Sequence, residues 1–439
     1  MKRILLIIKR ELALWTKRPI YLLGSVGVMA LSAIFFLSFF SQGVPEKLPI
    51  GVVDLDHSST SRNFTQQLDA TQMGRVVDFD DVSTARREMD AGRITSYVII
   101  PEHFDADVQA FRCPKMEIYV NTMYPVIGGA LAYKDIAFMV NLTNGAVQRQ
   151  VLRAKGVPEG EIMARIQPVV IDAHNIGNAP ASYAYYLNNM VLMCILAMSI
   201  MLVVSYSLAS ELKYGTSKQL LRISGDSLAA ALAGKLTPYT LLFTILGFAL
   251  QLIMFGPLHY PLAGSIWAML LATLLLVLAT EAVAVFVVSM VPTLRISVCI
   301  SALYSVLAFS FAGFTLPVAS LPAALRGMSC IYPIRFYYQI FVREAYFASG
   351  FAGWWPMCVC MLLFGVIAAS GLRLLVEQKV DYSKSRNLTM TAVVMIVGLS
   401  GAKLTFGTIT VQGMVLATLV AILLSLLFHL FEYFGLMEE

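Results

Sequence analysis

The chain has 439 residues, of which 58% are hydrophobic and only 13% charged, and its mean hydropathy is +0.73. A water-soluble core cannot enclose that much apolar surface, so an ordinary soluble domain is excluded and lipid must take part of it. The net charge of +5 is too small for a nucleic-acid binder, and Lys and Arg gather beside the apolar runs, where they act as topology signals.

Residues 1–19 read as an amphipathic interface helix. Leu5, Ile8, Leu12 and Trp15 fall at helical spacing, with Lys2, Lys9, Arg10, Lys17 and Arg18 around the other side, a pattern suited to an anionic cytoplasmic membrane surface. The next apolar run, Tyr21 to Phe40 within a first span at 20–41, is too long for a signal-peptide core, and no small-residue cleavage site follows it.

Residues 45–181 have the composition of a soluble domain. Ile50–Asp54, Arg75–Phe79, Ser96–Ile100 and Met116–Val120 are predicted strands, and Ser58–Leu68, Val82–Ala91 and Ala130–Lys155 predicted helices, with Ser58 a helix cap. The expectation is a small α/β domain outside the cytoplasm.

Beyond it lie apolar runs near 184–209, 237–256, 264–290, 297–316 and 354–376, which form a transmembrane core of 184–376. Two more, 389–402 and 411–431, sit in the C-terminal stretch 377–439, the first of them marginal in length. The predicted fold class is therefore an α-helical polytopic membrane protein with about eight transmembrane helices and an α/β extracytoplasmic domain between spans one and two. Arg3, Lys9, Arg10, Lys17, Arg18, Lys213, Lys218, Arg222, Arg295, Lys379, Lys384 and Arg386 all fall on one side under this count, which makes that side, and both termini, cytoplasmic. Arg326, Arg335 and Arg343 run against the rule and are assigned to a folded loop.

No catalytic constellation stands out. Gly234-Lys235-Leu236-Thr237 imitates the end of a phosphate-binding loop, but Leu236 occupies the hydroxyl position and Ala229 the earlier glycine position. The five histidines are scattered, no metal-ligand spacing occurs, and the six cysteines form no paired framework. The chain is expected not to be an enzyme, with no metal site and no cofactor of its own. Glu281, inside an apolar run, is the one intramembrane acid that demands an account. Pairing with a helix partner and contact with cargo are both open.

The stretch Glu211-Leu212-Lys213-Tyr214-Gly215-Thr216-Ser217-Lys218-Gln219-Leu220-Leu221, continuing to Gly234-Lys235-Leu236-Thr237-Pro238-Tyr239, resembles the membrane permeases of type-two ATP-binding-cassette exporters. There such a segment flanks a short coupling helix. Gly215 can break the span, Thr216 can cap the next helix, and Ser217 to Arg222 offers a mixed face to a partner. The phrases Ile50 to Asp56, Tyr97 to Phe104, and Gly313 through Pro322 to Pro333 resemble the same family in the same order, covering residues 1 to about 355.

The resemblance implies an export permease in an inner (plasma) membrane, paired with a second copy or a paralogue. Each half would dock an ATP-binding-cassette ATPase subunit, which carries the ATP and Mg, on Glu211, Gly215, Thr216, Gln219, Leu220, Leu221, Gly234 and Lys235. A periplasmic adaptor is a further implied partner, and drugs, lipids or polymers are the implied cargo.

From about 360 to 439 the likeness changes. Leu363 to Arg373, Val380 to Leu388, Gly398 to Lys403 and Gly413 to Thr418 resemble the closing spans of uracil permeases of the nucleobase/cation symporter family. The sequence therefore reads as a fusion joined near Trp355 to Leu362. Competing functions are a nucleobase carrier and a non-transporting envelope scaffold.

Overall fold

The computed structural model describes residues 2–121 except 42, 44, 45, 73 and 111, then 133–167, 177–178, 182–377, 393, 403–406, 409–412 and 420–428. Two compact units emerge, one formed by 1–41 with 176–439 and the other by 42–175.

In the smaller unit, β1 (Leu48–Asp54), α3 (Ser59–Asp69), β2 (Gly74–Asp78), α4 (Val82–Asp90), β3 (Ser96–Ile100), α5 (Phe104–Gln109), β4 (Glu117–Val120), α6 (Tyr133–Ala154) and α7 (Glu159–Ile166) follow one another, α1 and α2 lying in the other unit. The sheet order is β2-β1-β3-β4. β1 pairs in parallel with β2 and β3, and β4 runs antiparallel to β3. Strand alternation sends Ile50, Val52, Val98 and Ile100 to one face, where they bury with Phe64 and Leu68 of α3 and Ile136 of α6. Val53 and Tyr97 go to the other face with Ala85 of α4. Gly51 is a packing glycine, because a Cβ there would stand 2.9 Å from both Ile94 and Tyr97. The Ser58 hydroxyl accepts from the Ser61 amide at 3.1 Å, as a cap should. The short helix α5 follows the joint after Pro101, and α7 was not anticipated.

In the larger unit, α1 (Lys2–Lys17) precedes six helices long and apolar enough to cross a membrane among the described residues. These are α2 (Ile20–Phe39), α8 (Ala184–Lys213), α10 (Leu228–Phe255), α11 (Ile266–Met290), α12 (Leu294–Phe311) and α15, Gly350–Gly371 by this criterion and helical to Glu377. Between them sit α9 (Ser217–Ser224), α13 (Ala323–Met328) and α14 (Pro333–Phe341). α8 and α11 form the enclosed centre, with 72% and 67% of their apolar windows buried, against 17% for α2.

α10 begins at Leu228, capped by Ser227, rather than near Thr237. Helix formers before Thr237 extend it, and it continues through Pro238. After α12 the chain breaks at Gly313 (φ +99°), and the buried helix α14 then packs against α11 and α15. The arginines that ran against the charge rule tie this segment together. Arg326 donates to the carbonyls of Ala319 and Leu321, Arg335 to that of Arg326, and Arg343 to that of Gly353. Away from α1 the bundle also holds a closed neutral ring, in which Gln251 donates to Tyr337, Tyr337 to Asn189, and Asn189 to Gln251.

In the tail, β5 (Lys403–Phe406) and β6 (Ile409–Gln412) form an antiparallel ribbon. The run expected to span from 411 therefore opens as strand, in keeping with the β-branched cluster Thr405, Thr408, Ile409, Thr410 and Val411. Helix is described at 420–428. The predicted span 389–402, apart from residue 393, and the rest of 411–431 lie outside the described residues.

Candidate functional site

Leu5 and Leu12, on the stripe expected to meet a membrane surface, face outward from the bundle, and a different side of α1 packs on its neighbours. Leu5 and Leu12 are 55% and 44% exposed, whereas Ile7 and Glu11 are fully buried. The stripe Ile4, Ile7, Glu11, Leu14 and Trp15 turns inward instead, since one position of offset rotates a helix face by about 100°. α1 lies against α10, and Gly234 makes the approach close, because a Cβ there would come 2.9 Å from Ile7 Cβ. Ile7 packs with Leu220 of α9 and Ala231 of α10, flanked by Leu221 and Ile223. Arg3 reaches over Gly225, which ends α9 at φ +76°.

An acid on the inward stripe needs a partner, and the structure supplies two. Lys235 Nζ on α10 lies 2.8 Å from Glu11 Oε1 and 3.0 Å from Glu211 Oε1 at the end of α8. Arg10 grips Glu211 with both terminal nitrogens, at 2.8 and 2.9 Å, and touches Glu11 at 3.2 Å. That hydrogen bonding to Glu211 raises the Arg10 guanidinium above its ordinary pKa. Tyr239 donates to Glu11 at 3.3 Å, and Trp15 packs at a tilt of 59° against its ring with centroids 5.1 Å apart. Two acids and two bases cancel, so the cluster is neutral overall. Lys235 is 1% exposed and Glu211 5%. A buried network of this kind gives little net stability over apolar packing, but removing one member strands a charge and costs about 3–5 kcal/mol.

The loop after α8 follows from local backbone chemistry. Tyr214 ends the helix and Gly215 adopts φ +68°, where a β-carbon is disfavoured. Thr216 stands at the start of α9, yet its hydroxyl does not cap that helix as predicted. It donates to the Glu211 carboxylate, which draws it back to the ionic cluster. α9 then turns Leu220 inward and half-buries Leu221, while Lys218, Gln219 and Arg222 face out. Of the residues the sequence singled out, Glu211, Thr216 and Lys235 meet in one cluster. Gly215, Gly234, Leu220 and Leu221 set the backbone and packing around it, and Gln219 stands apart on the exposed face.

Arg10 and Glu11 were missed as site residues. The signal for Glu11 was an acid at helical spacing from Ile4, Ile7 and Leu14.

Glu281 on α11 is separate from this cluster. Its residue is 3% exposed, and Thr240 donates to Oε2 at 2.7 Å. Oε1 has no hydrogen-bond partner among the described residues. The helix partner considered from sequence is thus a hydroxyl rather than a cation.

A broken six-span bundle with a charged loop helix fastened to its first helix has a family counterpart. The model of the ABC-2 family transporter protein matches residues 19–371. The chain belongs to that family. Among relatives of this ABC-2 chain, the inner membrane transport permease YhhJ of Escherichia coli is 23% identical over 359 residues, covering 78% of this chain and 90% of that protein. A shorter stretch has a different kinship. The uracil permease of Paenibacillus larvae is 57% identical over 74 residues, and that of Escherichia coli K12 is 56% identical over 72. The chain spans only 18% and 17% of the lengths of these two proteins. The ABC-2 match ends at Gly371, within Leu363 to Arg373, the first of the motifs that resemble uracil permeases.

Proposed function

We propose that this ABC-2 chain is the membrane permease of an ATP-binding-cassette export system. A separate ATPase subunit, carrying ATP and Mg, docks on α9, and its closure moves cargo outward through the permease and a second copy or paralogue. The observation that carries this reading is the exposed Lys218, Gln219 and Arg222 face of α9, set on a buried ionic clamp that joins α1, α8 and α10. Force on α9 passes through Thr216 and Glu211 into two spans at once, which suits a coupling element. The chain itself has no hydrolytic role in this scheme.

In this reading the permease sits in an inner (plasma) membrane. α1, α9 and both termini are cytoplasmic, and the 45–181 domain is extracytoplasmic and open to a periplasmic adaptor. Drugs, lipids and polymers are the cargo classes in view. Uracil transport is not proposed, because the likeness covers less than a fifth of the uracil permeases.

The test is to purify the permease with its ATPase after combining Lys213→Glu, Lys218→Glu and Gly215→Pro. The expected result is loss of the ATPase from a permease that still inserts and elutes normally. Unchanged co-purification would mean that α9 is not the docking element.

A further inference from the structure

Glu281 lies at the floor of a groove of about 390 Å³ between α10, α11 and α15. The groove runs along α10 from Ala229 to Thr240, a length of about 16 Å at the helical rise. Its α15 wall is made of small residues, Gly365, Ala368 and Ala369. A β-carbon at Gly365 would touch nothing within 4 Å, so the wall leaves real room. Apart from Thr237, Thr240 and Glu281 its lining is apolar, with Leu232, Leu236, Leu278 and Val285, and Leu278 is 42% exposed.

A carboxyl in that setting is costly without a counter-charge. The nearest basic residue along α10, Lys235, spends its ammonium on Glu11 and Glu211. Thr240 holds one carboxyl oxygen, and the other is buried with no hydrogen-bond partner among the described residues. A lone acceptor at the floor of an apolar, laterally open groove is matched by one chemistry, an N–H cation carried on an apolar body.

We propose that this groove binds amphiphilic amines from the bilayer, with the ammonium on Glu281 Oε1 and the alkyl or aryl body along Leu236, Leu278 and the small-residue wall of α15. Thr240 is a positioning residue, which holds the other carboxyl oxygen. Binding is independent of the export reading. That the bound amine is also cargo rests on it.

The test uses the full chain in phosphatidylcholine nanodiscs and a diazirine-bearing dodecylamine, with labelled peptides mapped by mass spectrometry. Labelling is expected at the 361–371 segment, displaced by dodecylamine and not by dodecanol. Glu281→Gln keeps an acceptor for Thr240 but removes the charge, and should weaken the apparent affinity by about tenfold or more. Glu281→Asp should retain more binding than Gln, and Gly365→Phe should block labelling by filling the groove. Equal labelling in Glu281→Gln, or equal displacement by dodecanol, would overturn the proposal. So would a disulfide between two copies of Gly365→Cys, which would make the groove a seam between permeases. Intact labelling without ATP-driven dodecylamine efflux from vesicles containing the ATPase would leave the site standing and sink its role in export.

Discussion

Lys235 Nζ lies 2.8 Å from Glu11 Oε1, although 224 residues separate the two along the chain. This contact fixes the interface helix to the third span of the bundle, and the bidentate Arg10–Glu211 pair completes the clamp. The ion pairs are buried and neutral as a group, so removing one charge leaves another uncompensated.

Lys235→Met leaves two acids facing Arg10 alone. The full chain should lose about 3–5 kcal/mol, read as a lower thermal midpoint. Glu11→Gln in the same chain should recover part of that loss, because the stranded carboxylate is gone. A double variant whose loss is the sum of the two single losses would show that the groups are not coupled.

Gly234→Val pushes a side chain into Ile7, where a Cβ already has only 2.9 Å. α1 should lift from α10, separating Trp15 from Tyr239. The measurement is the emission of Trp15 with the other three tryptophans replaced by Phe, and a shift toward the red is expected. An unchanged spectrum would mean that α1 packs without the glycine.

Acid should act on the smaller unit at one identifiable place. Glu159 bonds to Arg153 and Arg149, which hold its carboxyl down to about 2 from the ordinary 4.5. A depressed carboxylate contributes stability at pH above about 4.5 that is lost as pH falls toward about 2. The group is fully exposed, so the contribution is small. Between pH 6 and pH 3 the thermal midpoint of this unit should fall further in the native chain than in Arg149→Gln with Arg153→Gln. Equal falls would remove Glu159 from the account.

Deleting residues 388–439 removes most of the uracil-permease-like tail while leaving the whole ABC-2 match at 19–371 intact. The truncated chain should still insert and still retain a co-purifying ATPase. Normal insertion with complete loss of the ATPase would show that the tail takes part in coupling.

Much of this fold was legible because its signals are local. Alternation in Ile50 to Asp54 and Ser96 to Ile100 marks strands at their true positions, and five of the apolar runs after residue 184 became the later spans. The start of α10 was not legible, since Leu228 to Leu236 mixes alanine, glycine and lysine and carries no continuous apolar signal. The ionic clamp was half legible. Glu211, Thr216 and Lys235 stood out through the family pattern, but Arg10 and Glu11 meet them only in three dimensions, across separations of 201 and 224 residues. Thr216 shows the limit of local reasoning. Its position is that of a cap, and the stronger charge-assisted acceptor nearby takes its hydroxyl instead.

The central claim is that α9 receives the ATPase, and Gln219 tests it most directly because it is exposed and outside the clamp. A photo-crosslinking amino acid at Gln219, in membranes holding the full chain and its ATPase, should yield a permease–ATPase adduct. The same group at Leu31, 72% exposed on α2, should yield none. An adduct from Leu31 and none from Gln219 would contradict the account.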